Sequence, residues 1–483
     1  NRFRRGLVLA ARDSWERALA CLTPEVPVGF AVRAHNALGS LFLELGRFEN
    51  ALDHFHRAEA FCDAESAGSE LEHSRVLNNL ALCHMRSGDI EAALPLALKA
   101  VESFPEQGQD RELEATINLV TGVCLMNHEE LTDARQHLER ARSIFVETRR
   151  RRGEAMCLNN LGIIALEQGL MAQAQRLLES ALVILETVHD VELSAYARTE
   201  LGRLYFKQGD VPQALHQGSA ALRILWDNMG LMDRAEVARL CRLFGSIYAL
   251  KGNRNAALGY LQRATTYFAQ SQMWREWGLA TKELDAVIRQ RNMPRERVAL
   301  EWHDQELLRY LTALLGLMDT LESLYPESVR ILDLVTRYAA VLGSAAGLEG
   351  KRLSRLMSAA RLRDIGFTKD ADHGAVKSAE VCEHPIMSER ILAMFGVSKD
   401  VLLTVRHHHE SYDGSGYPEG LKGETIPLES RTLMLVEAYV HAVESEAAAG
   451  PGFHDRAMES LKEGRGKLDP RLLAVFIRLH EFA

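Results

Sequence analysis

The chain has 483 residues, 47% of them apolar and 25% charged, an ordinary globular composition with length for two or three domains. A net charge of -9 argues against a general nucleic-acid binder, which would be basic. No run of about 18 apolar residues marks a membrane span. The seven cysteines (Cys21, Cys62, Cys83, Cys124, Cys157, Cys241 and Cys382) stand singly, with no CxxC pair. They read as reduced thiols, and with no secretory segment a cytoplasmic protein is expected. The first residue is Asn1 rather than Met, so residues upstream of it are expected. Twelve prolines against abundant Ala, Leu, Glu and Arg favour helix throughout, and the fold class read from the sequence is all-α.

Along the chain, helices before Ala37 are expected to cap a repeat array. From Gly39 a pattern recurs six times at intervals of 40 to 43 residues. It has a small residue, mostly an apolar residue three on, a Gly seven on, an Ala twelve on, a looser position sixteen on and an Ala nineteen on. The copies are Gly39-Phe42-Gly46-Ala51-Phe55-Ala58, Ala81-His84-Gly88-Ala93-Ala97-Ala100 and Gly122-Leu125-Glu129-Ala134-Leu138-Ala141. Then come Gly162-Ala165-Gly169-Ala174-Leu178-Ala181, Gly202-Tyr205-Gly209-Ala214-Gly218-Ala221 and Gly245-Tyr248-Gly252-Ala257-Leu261-Ala264. Small residues at facing positions let paired helices approach closely. The Gly between them serves a left-handed turn. Such a unit cannot bury its own apolar face, so units stack into a superhelix with a concave inner surface.

This pattern resembles the tetratricopeptide repeat, in a form longer than the usual 34 residues. The resemblance implies a solenoid over 1–290 whose concave surface binds a protein, a peptide or a second copy. Asn36, Asn78 and Asn159 occupy equivalent places in first helices. They suit either hydrogen bonds to a peptide backbone or ordinary helix-pair packing. Arg149 to Arg152 is the one dense basic run and reads as a solvated helix end. A helix around Trp274–Arg289 is expected to cap the far end. Leu307, Leu308, Leu311, Leu314 and Leu315 then have helical spacing, giving a connecting helix within 291–322 that is also suited to pairing with a second copy.

Residues 323–483 change character. Arg406 to Pro418 (RHHHESYDGSGYP) clusters imidazoles beside a Gly-rich turn. Upstream lie Asp364-Ile365-Gly366 and His384-Pro385, and downstream Gly423, Ile426-Pro427, Arg431 and Leu468-Asp469-Pro470. Imidazoles and carboxylates on nearby helices are what a metal-assisted phosphohydrolase uses to activate water and polarise a phosphoryl oxygen.

The string from His408 to Pro418 resembles the HD-GYP family, helical phosphodiesterases of cyclic di-GMP. That resemblance implies metal ligands at Asp364, His384, His408 and His409, with Asp364 catalytic if the site is active. It implies a ligand loop at Gly414, Gly416, Tyr417 and Pro418 with Arg431. This chain departs from the pattern at several family positions. Arg363 stands where the HD pair has His, Phe367 where a Lys follows, Glu327 where the first metal His falls, and Glu437 where a late Asp falls. Residues 446–450 replace an Arg-x-Tyr substrate element.

The retained ligands mostly serve one of the family's two metals. The site is therefore expected to hold no metal or one divalent ion (Fe, Mn or Zn), with Glu327 and Glu437 as weaker ligands. Arg363, a permanent cation, is expected to replace the other ion through carboxylate partners. His407 lies outside the pattern and reads as a helix-surface residue. The expected protein is a bacterial signalling protein with a partner-binding array and a degenerate HD-GYP domain, acting as a binding or dimerisation module. A cyclic dinucleotide ligand and a homodimer are left open. The alternative is an active metal-dependent phosphodiesterase with a divergent site. No nucleic-acid or membrane partner is expected.

Overall fold

The computed structural model describes residues 8–21, 28–64, 70–105, 110–229, 233–289, 312–317, 329–366, 379–447, 449–464 and 466–481. All regular secondary structure among them is helical, as expected, and no helix is long and apolar enough to cross a membrane. The chain divides into two compact units, one of residues 24–225 and 232–307, the other of 1–23, 226–231 and 308–483.

The first unit is a stack of helix pairs: α2 (Val28–Glu44) with α3 (Phe48–Ala64), α4 (Glu70–Arg86) with α5 (Ile90–Glu102), and α6 (Arg111–Asn127) with α7 (Leu131–Glu147). It continues with α8 (Arg151–Glu167) and α9 (Met171–Thr187), α10 (Val191–Lys207) and α11 (Val211–Asp227), and α12 (Arg234–Leu250) with α13 (Arg254–Gln270), ending on α14 (Trp274–Arg289). The 40-residue spacing of the central units comes from 17-residue helices joined by short turns. Both kinds of turn are left-handed. Gly88, Gly169 and Gly209 turn first helix into second, with Glu129 doing the same at φ 64°, while Arg149 and His189 turn second into first at φ 56°. Asp89, Asp110, Asp190 and Asn253 cap the helices that follow them, each accepting a backbone N–H.

The repeat signature has a volumetric cause. The leading glycine of four units faces the sixteen-on side chain so closely that a Cβ would lie 2.5 Å from the Phe55 ring at Gly39. It would lie 2.7 Å from Leu138, Leu178 and Leu261 at Gly122, Gly162 and Gly245. Where the leading residue is Ala81, its partner shrinks to Ala97. Where both are glycine, at Gly202 and Gly218, Leu243 and Phe244 of the next unit fill the space. The looseness at sixteen-on is thus conservation of volume in a close-packed seam.

Asn36, Asn78 and Asn159 are buried. Asn36 accepts a hydrogen bond from Asn79 of the next first helix at 2.9 Å, while the Oδ1 atoms of Asn78 and Asn159 have no partner among the described residues. The basic run lies at the α7–α8 turn and is paired rather than merely solvated: Arg150 with Glu112, Arg151 with Glu154, Arg152 with Asp190.

The second unit holds α15 (Val329–Ala345), α16 (Gly350–Leu362), α17 (Ala379–Met394), α18 (Lys399–Arg406), α19 (Leu428–Ala447), α20 (Phe453–Glu463) and α21 (Pro470–Glu481), with a 3-10 turn at Gly423–Thr425. α15 packs on α16, α19 and α21, and α18 on α16, α17 and α19. Tyr338, Tyr439, His454, Phe476 and His480 form its aromatic core, with the Tyr439 hydroxyl 2.9 Å from His454 Nδ1.

Two boundaries differ from the sequence reading. α1 (Val8–Ala20) does not cap the array; it belongs to the second unit. Leu9 N–H donates to the Tyr338 hydroxyl at 3.0 Å, and Asp13, fully buried, accepts from the N–H of Gly452, the residue that starts α20. Arg17 pairs with Asp13 and Asp455, and Arg12 lies over the Phe453 ring. The N–H at the N-cap of α20 thus finds its acceptor on α1. Leu314 and Leu315, read as part of a connecting helix, are fully buried in this unit, where Gly316 abuts Phe395. Leu307, Leu308 and Leu311 lie outside the described residues.

Candidate metal centre

Three short segments converge at the centre of the second unit. Arg363 and Asp364 follow the end of α16, His384 lies in α17, and His408 and His409 follow α18. The turn after Asp364 sits directly on α17: Gly366 N–H donates to Ser388 Oγ at 2.9 Å, and a Cβ there would lie 2.7 Å from the His384 carbonyl oxygen. Only glycine permits that approach, which brings Asp364 to His384.

The His384 and His408 Nε2 atoms are 3.2 Å apart, and Asp364 Oδ1 lies 3.6 and 3.7 Å from them. His408 Nδ1 donates to the Val405 carbonyl at 2.5 Å, which turns Nε2 toward the centre, the orientation a metal-binding imidazole needs once that nitrogen is deprotonated. His409 packs on His408, His384 and Tyr417 with ring centroids 4.1, 4.9 and 4.9 Å away. Burial, with His408 and His384 beside it, holds His409 well below its ordinary pKa and therefore neutral. Burial opposes charge on His408, but Glu437, Asp364 and the Val405 carbonyl outweigh it and raise its pKa. Burial likewise opposes charge on Asp364, and Arg363, with His408 and His384, more than reverses this and holds the carboxyl well below the usual range. The donor atoms of His384, His408 and His409 lie within 4.8 Å of one another, as do those of Asp364, His408 and Glu437. The first set, with Asp364, fits one divalent ion.

Arg363 occupies the other side. Its side chain is 3% exposed, its Nη2 is 3.1 Å from Asp364 Oδ2, and its Nε is in contact with Glu437, which is itself buried. Nη1 donates to the Ala360 carbonyl. Burial opposes its charge, and the two carboxylates more than compensate. Glu437 Oε2 also lies 3.9 Å from His409 Nδ1. Glu327 and Phe367 fall outside the described residues.

The loop that comes next is held from within. Buried Glu410 accepts the N–H groups of Glu419 and Leu421 at 2.7 and 2.9 Å. Gly414 takes φ 85°, a Cβ on Gly416 would lie 2.5 Å from the His409 carbonyl, and a cis bond joins Tyr417 to Pro418. The Tyr417 N–H donates to the His409 carbonyl at 3.2 Å, and the Tyr417 ring lies over His409. Sequence reading missed the brace at Glu410, although it lies inside the motif that was singled out. Arg431, expected in the ligand loop, is a strut: it pairs with Asp469 at 2.6 Å and donates to the Ile426 carbonyl, while Asp469 caps α21. His407, expected on a helix surface, is buried; its Nδ1 meets the Leu403 carbonyl and its Nε2 Glu419, which ties α18 to the loop.

Comparison with known proteins finds relatives of both parts of the chain. Residues 316–472 match the HD domain family, and 30–106, 112–187 and 158–227 match the tetratricopeptide repeat. A cyclic di-GMP phosphodiesterase of Vibrio cholerae serotype O1 is 33% identical over 132 residues, covering 26% of this chain and 25% of its own. Cyclic di-GMP phosphodiesterase PdeB of Borreliella burgdorferi is 32% identical over 146 residues, covering 28% and 38%. The response regulator RpfG of Xanthomonas campestris pv. campestris, also a cyclic di-GMP phosphodiesterase, is 29% identical over 159 residues, covering 30% and 42%. The chain thus spans between a quarter and about two fifths of these relatives. Among solved structures, the apo form of RapI aligns with 59% of this chain and 95% of its own at 18% identity and a TM-score of 0.45. The chain is therefore built of tetratricopeptide repeats and an HD domain whose relatives are HD-GYP cyclic di-GMP phosphodiesterases.

Proposed function

We propose that this protein is a bacterial signalling regulator in which the repeat array binds a protein or peptide partner. In this reading the HD unit serves as a ligand-binding or dimerisation module that holds at most one metal ion and does not hydrolyse cyclic di-GMP. The observation that carries the reading is Arg363. Its guanidinium touches both Asp364 and Glu437, the carboxylates otherwise free to hold a second ion. A guanidinium supplies positive charge there but no bound water to activate, and phosphodiester cleavage at paired metals depends on such a water.

His384, His408, His409 and Asp364 would hold the single ion, iron, manganese or zinc. When bound, it would supply Lewis-acid charge to a phosphate oxygen. The rest is done by the chain itself. The Val405 carbonyl fixes the His408 tautomer, Glu410 holds the loop, and Tyr417 covers His409 on one side. Arg363 holds the Asp364 carboxyl ionised and pairs with Glu437.

The alternative, an active phosphodiesterase with a divergent site, draws on the likeness of the HD unit to cyclic di-GMP phosphodiesterases. Metal analysis of the purified protein and cyclic di-GMP turnover in added manganese or iron separate the two. No more than one ion per chain and no turnover above buffer are expected. Turnover that disappears in His408→Ala would overturn the proposal.

A further inference from the structure

Each repeat of a solenoid touches only its neighbours, and among the described residues of this array two contacts depart from that rule. The first joins the α4–α5 turn to the α13–α14 turn. A Cβ added at Gly88 would meet the Gln272 side chain and lie 2.8 Å from its carbonyl oxygen. The matching glycines Gly46, Gly169 and Gly209 have nothing within 4 Å. The second joins α14 to α8: Arg275 Nη2 donates to Glu167 Oε1 at 2.6 Å, with 18% and 17% of the two side chains exposed. Gln272 lies in the turn before the last helix and Arg275 in that helix's first turn, so the end of the array is tied back to its second and fourth units. At the second contact lies a cleft lined by Glu167 and Arg275 themselves, with Met126, Ile163, Tyr196 and Arg239 of neighbouring first helices.

We propose that these contacts form a clasp that holds the array closed over its inner face. A partner reaches that face only after Gly88 parts from Gln272 and Arg275 from Glu167. Partner access rests on the reading that the array binds one; the clasp itself does not. The energetic order comes from what each junction buries. The seams between adjacent helices bury Phe55, Leu138, Leu178 and Leu261 completely. The clasp consists of one ion pair and one touching turn, and it buries far less apolar surface than a seam. It is therefore the first junction to open, and it opens without disturbing the stack.

The test uses the full chain in small-angle X-ray scattering, with circular dichroism to confirm folding. Gly88→Asn is compared with Gly209→Asn. Both glycines have φ 81°, which Asn tolerates, so the backbone effect is shared and only residue 88 collides with another turn. A larger radius of gyration and maximum dimension are expected for Gly88→Asn, with Gly209→Asn matching the parent protein. Glu167→Arg and Arg275→Glu are each expected to open the array, and the two together to close it again. The clasp is overturned if folded Gly88→Asn scatters like the parent, or if the double exchange is no more compact than either single one. Should Gly88→Asn fail to fold, the charge exchange decides alone. An array that opens as expected but captures no partner would leave the clasp standing and remove the binding function.

Discussion

A guanidinium with almost no exposure to water needs its carboxylates, and they need it. Arg363 lies between Asp364 and Glu437 in the part of the site where, among the described residues, His408 and His409 are the imidazoles near Glu437. The reading of this site predicts that Arg363→His, which restores an imidazole beside Asp364, raises the bound metal from at most one ion per chain to two. Metal analysis after loading with manganese measures this; an unchanged content would mean that Arg363 does not occupy an ion's place. The residue types around the centre were legible because the imidazoles and the GYP loop are contiguous in the chain. What Arg363 touches was not, since Glu437 is 74 positions away on a different helix. Arg431 and His407 were misassigned for a related reason. Their partners, Asp469 and Glu419, lie in other segments, and a motif does not reveal whether a side chain faces a ligand or another part of the protein.

At the scale of helices, the leading glycine and the sixteen-on side chain behave as one volume. Gly162→Ala would force its Cβ onto Leu178, and overpacking of this kind costs about 1–3 kcal/mol, while Leu178→Ala alone opens a cavity and costs about 2–5 kcal/mol. The double variant reproduces the Ala81–Ala97 pair of the second unit and is expected to lose less than the sum of the two. A double-mutant cycle of unfolding free energies measures this, and strict additivity would refute it.

Glu236 of α12 offers a pH test. Burial, with Asp233, Glu200 and Glu192 adding to it against the pull of Arg239, pushes its carboxyl up to about 7. An acid whose folded pKa is raised binds more protons when folded than when unfolded. Stability therefore falls as pH rises from about 4.5 to 7, by about 3 kcal/mol over that window. Denaturation at pH 5 and pH 8 is expected to show that loss in the parent and to show much less of it in Glu236→Gln. Equal losses in both would mean that Glu236 is ionised throughout.

For the whole molecule, the consequential finding is that α1 folds with the C-terminal residues. It brings a buried carboxylate to the start of α20 and a backbone donor to Tyr338. A protein lacking residues 1–20 is expected to melt first in the HD unit, with the array's transition unchanged. Asp13→Ala is expected to cost that unit about 1 kcal/mol, the usual net worth of one hydrogen bond. Calorimetry resolves the two transitions; an array transition that fell instead would return α1 to its expected role as an end cap.

Local order determined much of this protein by itself. Helical pairing, the turns at Gly88, Gly169 and Gly209, and the clustering of His408, His409 and the GYP loop all arise from residues within one or two helices of each other. Close-packed seams between neighbours impose a period that the chain displays directly. Tertiary structure alone decided that α1 leaves the array for the HD unit, that Arg363 meets Glu437, and that Gly88 meets Gln272. These contacts join residues tens to hundreds of positions apart. They arise from how twisted stacks and crossing helices bring distant segments together, and no periodicity along the chain carries that information.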